Sequence, residues 1–332
     1  MRKRRISVVV PMFNEGSGIR KFLDGELFEE IRRLEGATGG EARYEIETVL
    51  VDDGSTDKTI ERVRSTELFR EREKKGLVRL VAFSKNFGKE VALAAGIRYA
   101  TGEAVVMIDA DGQHPAEAIS EMIKRWEKGA KVVTAVRKHN RTKHRVGSWM
   151  FYKMMKMAGN KEIVEGAMDF RLIDREVAEE YNKFTEHNRI TRGLINWLGY
   201  PQEFIKVEIK GREAGRGTYD FPKLMRLAGD SFVSMSRTPL VFFGVLGLII
   251  TSFSLLLGLF ILIQQYILRD PLGLDWSGAV AMSVFISFLV GLVMISQSIT
   301  ALYISQIHIE AKNRPLYVVD REKSEGIYEK GR

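Results

Sequence analysis

The sequence predicts an α/β fold: a doubly wound, mostly parallel sheet, followed by juxtamembrane amphipathic helices and two transmembrane helices. Three observations predict it. Short apolar runs alternate with helix-like segments over the first half of the chain. A polar cluster follows each run. Two long stretches near the far end contain no charged residue.

The runs are 6–10, 46–51, 77–83, 104–108 and 131–136, with helix-like segments at 17–35, 58–73, 87–100 and 114–127. Apolar residues at consecutive positions suit strands buried on both faces of a parallel sheet. The opening MRKRRISVVVPMFNE places basic residues before an apolar run, as a signal peptide does. The run is short, and Pro11 and Asn14 interrupt it, so it reads as a first buried strand of a protein that starts in the cytosol.

Residues 240–268 and 279–304 carry no charge, and each exceeds the roughly 20 residues that cross a bilayer. Lys223, Arg226 and Arg237 precede the first stretch, and Lys312, Arg314, Arg321 and Lys323 follow the second. The loop between them has only Arg269. The positive-inside rule then puts both termini in the cytosol and makes the chain a two-span protein of the cytoplasmic membrane. Ser283, Ser287 and Gly291 offer a small-residue face for helix packing. The stretch DFPKLMRLAGDSFVSMSRT interleaves apolar and basic residues, as an amphipathic helix at a membrane surface does. The expected layout is a globular domain over 1–219, amphipathic helices over 220–238, two spans over 239–304 and a cytosolic tail over 305–332. Within the tail, 316–319 suits an added edge strand, and the residues beyond Glu322 read as disordered.

There is no cysteine, which excludes disulfides and thiolate metal sites. The net charge of +8 fits an anionic partner: a phosphate ligand, a membrane surface or nucleic acid. No aromatic-interleaved basic stripe supports nucleic acid. Neither GxxxxGK[ST] nor a GxGxxG after the first run occurs. The five histidines mark no nucleophile site.

Ligands of doubly wound sheets bind beyond the carboxyl ends of the strands. The clusters PMFNE, DDGSTD, SKNFGKE, DADGQ and RKHNR follow the five runs in order. DDGSTD alone is also a good turn and helix start; five such clusters on one rim favour a site. Asp109 and Asp111 flank one residue, so in extended chain both side chains share a face. Paired carboxylates need a cation, and a hard divalent ion that also holds phosphates is the natural one. Gln113 adds a neutral oxygen. His114, before Pro115, reads as the start of the next helix.

VVVPMFNE, VDDGSTD, SKNFGKEVALAAG and DADGQHP, in this order and spacing, resemble the family-2 inverting glycosyltransferases, which have the GT-A (Rossmann-like) fold. DFRLIDREV, RGLINWLGY and REAGRGTY…KLMRLAGDS narrow the resemblance to the polyprenyl-phosphate glycosyltransferases, similar to bactoprenol glucosyltransferases and dolichyl-phosphate mannose synthases. It covers nearly the whole chain, and the two-span layout resembles the bactoprenol branch. The resemblance implies that Pro11, Asn14 and Glu15 line a nucleoside pocket and that Asp52 and Asp53 contact base and ribose. The 85–89 segment, with Lys85, Gly88 and Lys89, closes over the base. Asp109 helps hold the nucleotide; Asp111 and Gln113, with Asp109 beside them, bind Mg²⁺ or Mn²⁺. One departure is Gly112, where many relatives have leucine, which implies a looser turn.

The implied reaction is inverting transfer of a sugar from a nucleotide sugar to a membrane polyprenyl phosphate, undecaprenyl or dolichyl, at the cytosolic face. UDP-glucose is the favoured donor, with a GDP-mannose-dependent mannose synthase as the alternative. Asp169 is the family's base candidate, or else positions the sugar or a basic side chain. Asp111 and Arg137 join it as catalytic residues. Arg137, Arg141, Arg145, Arg192 and Arg216 are cations for the acceptor phosphate, and Arg212 is one for the donor. Glycines 211, 215 and 217 suit a closing lid. The segment 149–155 is either a lipid-touching helix or a core helix. A homo-oligomer, tetrameric in one reading, is expected. A processive polysaccharide synthase fits less well, since QxxRW and further spans are absent. A non-catalytic membrane scaffold leaves the intact DADGQ and the basic rim without a purpose.

Overall fold

The computed structural model describes residues 3–36, 44–138, 167–187, 189–208 and 278–327, with Leu256 and Ile263 in isolation. The chain forms two compact units: Met1–Gly217 together with Pro315–Arg332, and Thr218–Arg314.

The first unit is built on a seven-stranded sheet of order β3-β2-β1-β4-β6-β5-β7. Its strands are β1 (Arg4–Met12), β2 (Tyr44–Asp52), β3 (Val78–Ala82), β4 (Ala104–Met107), β5 (Val132–Arg137), β6 (Ala167–Asp174) and β7 (Gln202–Val207). β1 pairs in parallel with β2 and β4, β2 with β3, and β5 with β7. β6 runs antiparallel between β4 and β5. The five expected runs are all strands. β6 and β7 are additional: charged residues break the apolar run of β6, and β7 is a half-exposed edge strand. Chain order reverses between β1 and β4, the switch point where doubly wound sheets bind ligands.

Period-two alternation of the strands divides the core into two layers. Ile6, Val8 and Val10 of β1, Ile46 and Leu50 of β2, and Ala104 and Val106 of β4 face one layer. Val9, Val49, Val51, Val105 and Met107 face the other. The first layer is completed by a π-helical segment, Lys21–Leu27, which continues into α1 (Phe28–Leu34), by α2 (Thr59–Ser65) and α3 (Glu67–Lys74), and by α5 (Ala118–Glu127). The second is completed by α4 (Lys89–Tyr99), α6 (Arg175–Asn182) and α7 (Thr191–Trp197). The expected helix at 58–73 is two helices. Thr66 is extended (φ −69°, ψ 150°), and its hydroxyl accepts the Phe69 N–H to start α3. α4 seats closely on β1: a Cβ on Gly96 would lie 2.1 Å from Val9 Cγ1.

Buried charge secures the frame. The Arg72 guanidinium is buried, takes both Glu35 oxygens at 2.7 Å and donates to the Ile46 carbonyl. Glu35 also accepts the Ile46 N–H, so the end of α1, α3 and the start of β2 share one bidentate pair. Burial opposes the Glu35 charge, but Arg72 and the Ile46 N–H outweigh it and lower its pKa.

Residues 316–327 return to the first unit. Bridges Phe83↔Val319 and Leu80↔Glu325 place them antiparallel along the free edge of β3. The added edge at 316–319 is therefore present. The disorder expected beyond Glu322 is corrected over 323–327, where Ser324 and Glu325 bond to β3.

In the second unit, α8 (Gly278–Ala311) runs through the second uncharged stretch. The first stretch lies outside the described residues apart from Leu256 and Ile263, as do the amphipathic segment 220–238 and the glycines at 211, 215 and 217. Many side chains of α8 also lie outside them. Among the described residues no helix is long and apolar enough to cross a membrane. The two spans thus remain an expectation.

Removing Arg72 strands the Glu35 carboxylate in a partly buried place. Arg72→Ala should destabilise the first unit by about 3 kcal/mol, read as a lower urea midpoint in chemical unfolding.

Candidate active site

The expected site residues within the described set gather at the carboxyl ends of β1, β2 and β4 and the neighbouring start of antiparallel β6. At the end of β1, Pro11 is buried within the strand. Asn14 takes a left-handed backbone (φ 54°), which asparagine tolerates better than most residues. Its side-chain oxygen accepts the Thr56 N–H at 3.0 Å, and its own N–H donates to Ser55 Oγ at 2.9 Å. Asn14 therefore ties the end of β1 to the turn after β2. Glu15 starts the next turn, its carbonyl accepting from Gly18 and Ile19.

Asp52 and Asp53 end β2, and both are buried. Asp52 Oδ2 accepts the Ser55 N–H at 2.9 Å, while Oδ1 has no partner among the described residues. Asp53 is fully used: it accepts from Phe87 N at 2.7 Å, Gly88 N at 2.9 Å and Asn86 Nδ2 at 3.0 Å. Burial raises both pKa values above the usual aspartate range. Gly54, at φ 68°, packs so tightly that a Cβ would lie 2.3 Å from the Lys85 carbonyl carbon. The 85–88 loop is thus clasped onto the DDGS turn. Lys85 is exposed, its ammonium 5.1 Å from the Phe87 ring centre.

Lys89 follows that loop. As the first residue of α4 it points to the end of β4, 2.7 Å from Asp109 Oδ1 and 3.4 Å from Asp169 Oδ2. Asp169 comes from antiparallel β6, two residues before Arg171, which pairs with Met107. Asp109 Oδ2 also contacts His114 Nε2 at 3.3 Å. Burial works to raise the Asp109 pKa, but His114 and the Lys89 ammonium prevail and hold it at about 2. Burial likewise opposes the Lys89 charge, and the two carboxylates outweigh it, raising its pKa.

Asp111 faces Gln113: Oδ1 accepts the Gln113 N–H at 3.1 Å and Oδ2 the side-chain amide at 2.8 Å. Gly112, at φ 67°, makes this return possible. The glycine sets a defined left-handed turn in place of the looser one expected. Asp111 and Gln113 are an all-oxygen donor set that fits Mg²⁺ or Mn²⁺. Asp109 is committed to Lys89 and His114 instead. Among the described residues no group of three or more acidic, histidine or cysteine side chains is placed to hold a metal ion.

Arg171 is a functional candidate that sequence reasoning missed, and His114 is one it set aside as a helix start. Arg171 is 2% exposed; its Nη2 donates to the Met168 carbonyl at 3.0 Å, and Nη1 has no partner among the described residues. Burial lowers its pKa to about 10, with Asp169 acting against that and Arg192 adding to it. A charged residue inside an apolar motif, DFRL, was the available sign. Arg192 lies on α7, whose Thr191 N–H is held by Glu90 of α4 at 2.8 Å. Arg137 ends β5, exposed. Arg141, Arg145, Arg212, Arg216 and the 149–155 segment fall outside the described residues.

The lowered Asp109 pKa has a stability consequence. Its stabilising charge is fully present above the unfolded value of 3.8 and is lost as pH falls through about 2. Asp109→Asn should therefore flatten the acid limb of the stability profile, measured as urea unfolding at stepped pH between those two values.

Comparison with known proteins agrees with the geometry. Bactoprenol glucosyl transferase of Shigella phage SfV is 34% identical over 96% of this chain and 99% of its own. The uncharacterized glycosyltransferase YkcC of Bacillus subtilis (strain 168) is 33% identical over 98% of this chain and 95% of its own. Among solved structures, a mannosyltransferase from Pyrobaculum calidifontis in complex with GDP-Man and Mn²⁺ is 25% identical, covering 65% of this chain and 59% of that one; its TM-score of 0.44 is too low to bear on the site. The model of glycosyl transferase family 2 matches residues 7–182, which hold most of both core layers and the rim from Asn14 to Asp169. The chain belongs to that family and is a glycosyltransferase.

Proposed function

We propose that the enzyme transfers a sugar, glucose from UDP-glucose first among candidates, to a membrane polyprenyl phosphate such as undecaprenyl or dolichyl phosphate. The observation that carries this reading is the rim: an oxygen-donor pair, Asp111 and Gln113, two residues past the Asp109 carboxylate that Lys89 pairs together with Asp169, and a buried acceptor at the end of β2, Asp52 Oδ1. The acceptor class comes from the name of the Shigella phage relative. GDP-mannose is the second donor to test.

The chemistry follows from charge. The bond between the anomeric carbon and the nucleoside diphosphate breaks, and an acceptor phosphate oxygen bonds to that carbon from the opposite face. The configuration inverts, and the nucleoside diphosphate leaves as an anion. Asp111 and Gln113 would hold a divalent ion, which would supply positive charge to that leaving group. Asp52 Oδ1 accepts from a ribose hydroxyl. The 85–88 loop, clasped by Asp53, forms one wall of the nucleoside pocket. Lys89 keeps Asp109 ionised and holds the Asp109 and Asp169 carboxylates together beside the sugar. The acceptor is a phosphate monoester, whose second proton leaves near pH 6, so it attacks largely ionised. Asp169 therefore orients the sugar or a basic side chain more than it removes a proton. Arg137 and Arg192, with Arg141, Arg145 and Arg216, draw the lipid phosphate to the rim. The proposal includes two membrane spans with the catalytic domain cytosolic, and a homo-oligomeric enzyme.

Purified enzyme given radiolabelled nucleotide sugars, polyprenyl phosphate and Mg²⁺ or Mn²⁺ should move label into the organic phase from one donor. No labelled lipid from any donor would overturn the proposal. Asp111→Ala should fold normally by circular dichroism yet lose about 10²–10³ in kcat, the usual cost of removing one charge-stabilising group. Wild-type turnover by that variant would remove the metal role.

A further inference from the structure

β3 is an outer strand of the sheet, and its free edge is taken by residues that arrive only after the chain has passed through the second unit. Ser84 N–H donates to the Val318 carbonyl at 2.9 Å, and Asp320 N–H to the Ala82 carbonyl at 2.8 Å. Leu80 and Glu325 exchange N–H to carbonyl bonds at 2.9 and 2.8 Å. Ser324 Oγ accepts the Ala82 N–H at 2.9 Å and donates to the Asp320 carbonyl at 2.6 Å. Arg64 clamps Glu325 at 2.5 Å.

These bonds end at Ser84, where the 84–88 loop begins. An aromatic chain carries the contact on. The Tyr317 ring stacks on Phe83 with centres 4.8 Å apart and 18° between planes. Phe83 meets Phe87 edge-on at 5.7 Å. The Phe87 N–H is the 2.7 Å donor to Asp53. The Tyr317 hydroxyl lies in a buried setting that raises its pKa to about 12, and it stays neutral at physiological pH. Leu316, Val319 and Ile327 pack on the same core layer as α4.

A cover for the edge strand alone needs only backbone pairing. Here the added segment also stacks a ring against Phe83, whose edge-on partner Phe87 lies in the loop over Asp53. We infer that residues 316–327 belong to the donor-binding machinery, with Tyr317 and Ser324 as positioning residues that hold the 84–88 loop in its nucleotide-receiving shape. This rests on the proposed placement of the nucleoside at that loop. Neither residue touches the reacting atoms; both act through Phe83, Ala82 and Ser84. Losing the Tyr317 ring leaves Phe83 with one aromatic neighbour fewer and the first loop amide less firmly paired.

The test uses the full-length enzyme with Tyr317→Ala, Tyr317→Phe and Ser324→Ala. Tyr317→Ala should raise KM for the nucleotide sugar about tenfold, the ratio expected when an aromatic stack at the upper end of its range is lost. It should leave kcat and KM for polyprenyl phosphate near wild type. Tyr317→Phe keeps the stack and should restore the donor KM; Ser324→Ala should raise it less than Tyr317→Ala does. Hydrogen exchange of amides 84–88 should quicken in Tyr317→Ala, with those of β5 and β7 unchanged. Unchanged exchange at 84–88 overturns the inference, whatever the activity. So does faster exchange without a change in donor KM, or a uniform loss across the whole sheet. If wild type transfers no sugar at all, the functional reading fails while the exchange result still decides whether 316–327 holds the loop.

Discussion

Lys89 is the counter-charge that lets carboxylates meet at the end of β4. Asp109 and Asp169 both approach its ammonium, with Asp111 two residues further on. Without a cation such carboxylates would repel one another. Lysine at the first position of a helix is poorly placed with respect to the helix dipole, so the carboxylates, not the helix, explain it. Its position depends on much of the first unit. Gly96 lets α4 lie against Val9 of β1, which sets where the helix begins. The reversed direction of β6 brings Asp169 to the rim, where a parallel strand would have carried it to the other end of the sheet. Asp53, just past the end of β2, accepts the N–H groups of Phe87 and Gly88, the two residues before α4, and so fixes where the helix starts.

Buried polar atoms without partners among the described residues include Thr48 Oγ1, Arg72 Nε and Thr134 Oγ1 within the frame and three more near the carboxyl-end rim. At the amino end Glu47 is saturated: Ser7 Oγ at 2.5 Å, Arg79 Nε at 2.8 Å, and the Thr101 N–H and hydroxyl at 2.8 and 2.9 Å. Ser7 Oγ in turn accepts the Gly102 N–H at 2.8 Å. That network locks β1, β2, β3 and the approach to β4 with nothing left over. At the carboxyl end Asp52 Oδ1, His114 Nδ1 and Arg171 Nη1 are buried without partners among the described residues. Natural proteins rarely leave such atoms unmatched. Their place beside the carboxylates of the rim fits a surface made to be completed by a polar ligand.

Much of this was legible in the sequence, for physical reasons that differ by residue. The five parallel strands were visible because burial on both faces demands consecutive apolar residues. β6 was not, because Asp169, Arg171 and Asp174 interrupt its apolar run, and they do so to serve the rim and the helix that follows. The pairing of Asp111 with Gln113 follows from nearness in sequence. The reach of Lys89 does not: its neighbours come from β4 and β6, and only the sheet order sets them together. His114 reads as a helix start, yet its ring lies buried against Phe170, with centres 5.4 Å apart, and reaches Asp109. The segment 323–327 is rich in charge and reads as disordered, but backbone bonds to an edge strand need no apolar side chains.

The edge pairing of β3 also bears on how the protein is made. Five of the seven strands are in hand once residue 137 has left the ribosome, and the whole sheet by residue 207. The segment that closes the free edge of β3 follows more than a hundred residues later. Throughout that interval the nascent domain presents an unpaired strand, the kind of surface that recruits other chains. A message cut short anywhere in the second unit would leave that edge open for good. The finished enzyme and its interrupted products thus differ in the sheet itself: only the former has the free edge of β3 covered.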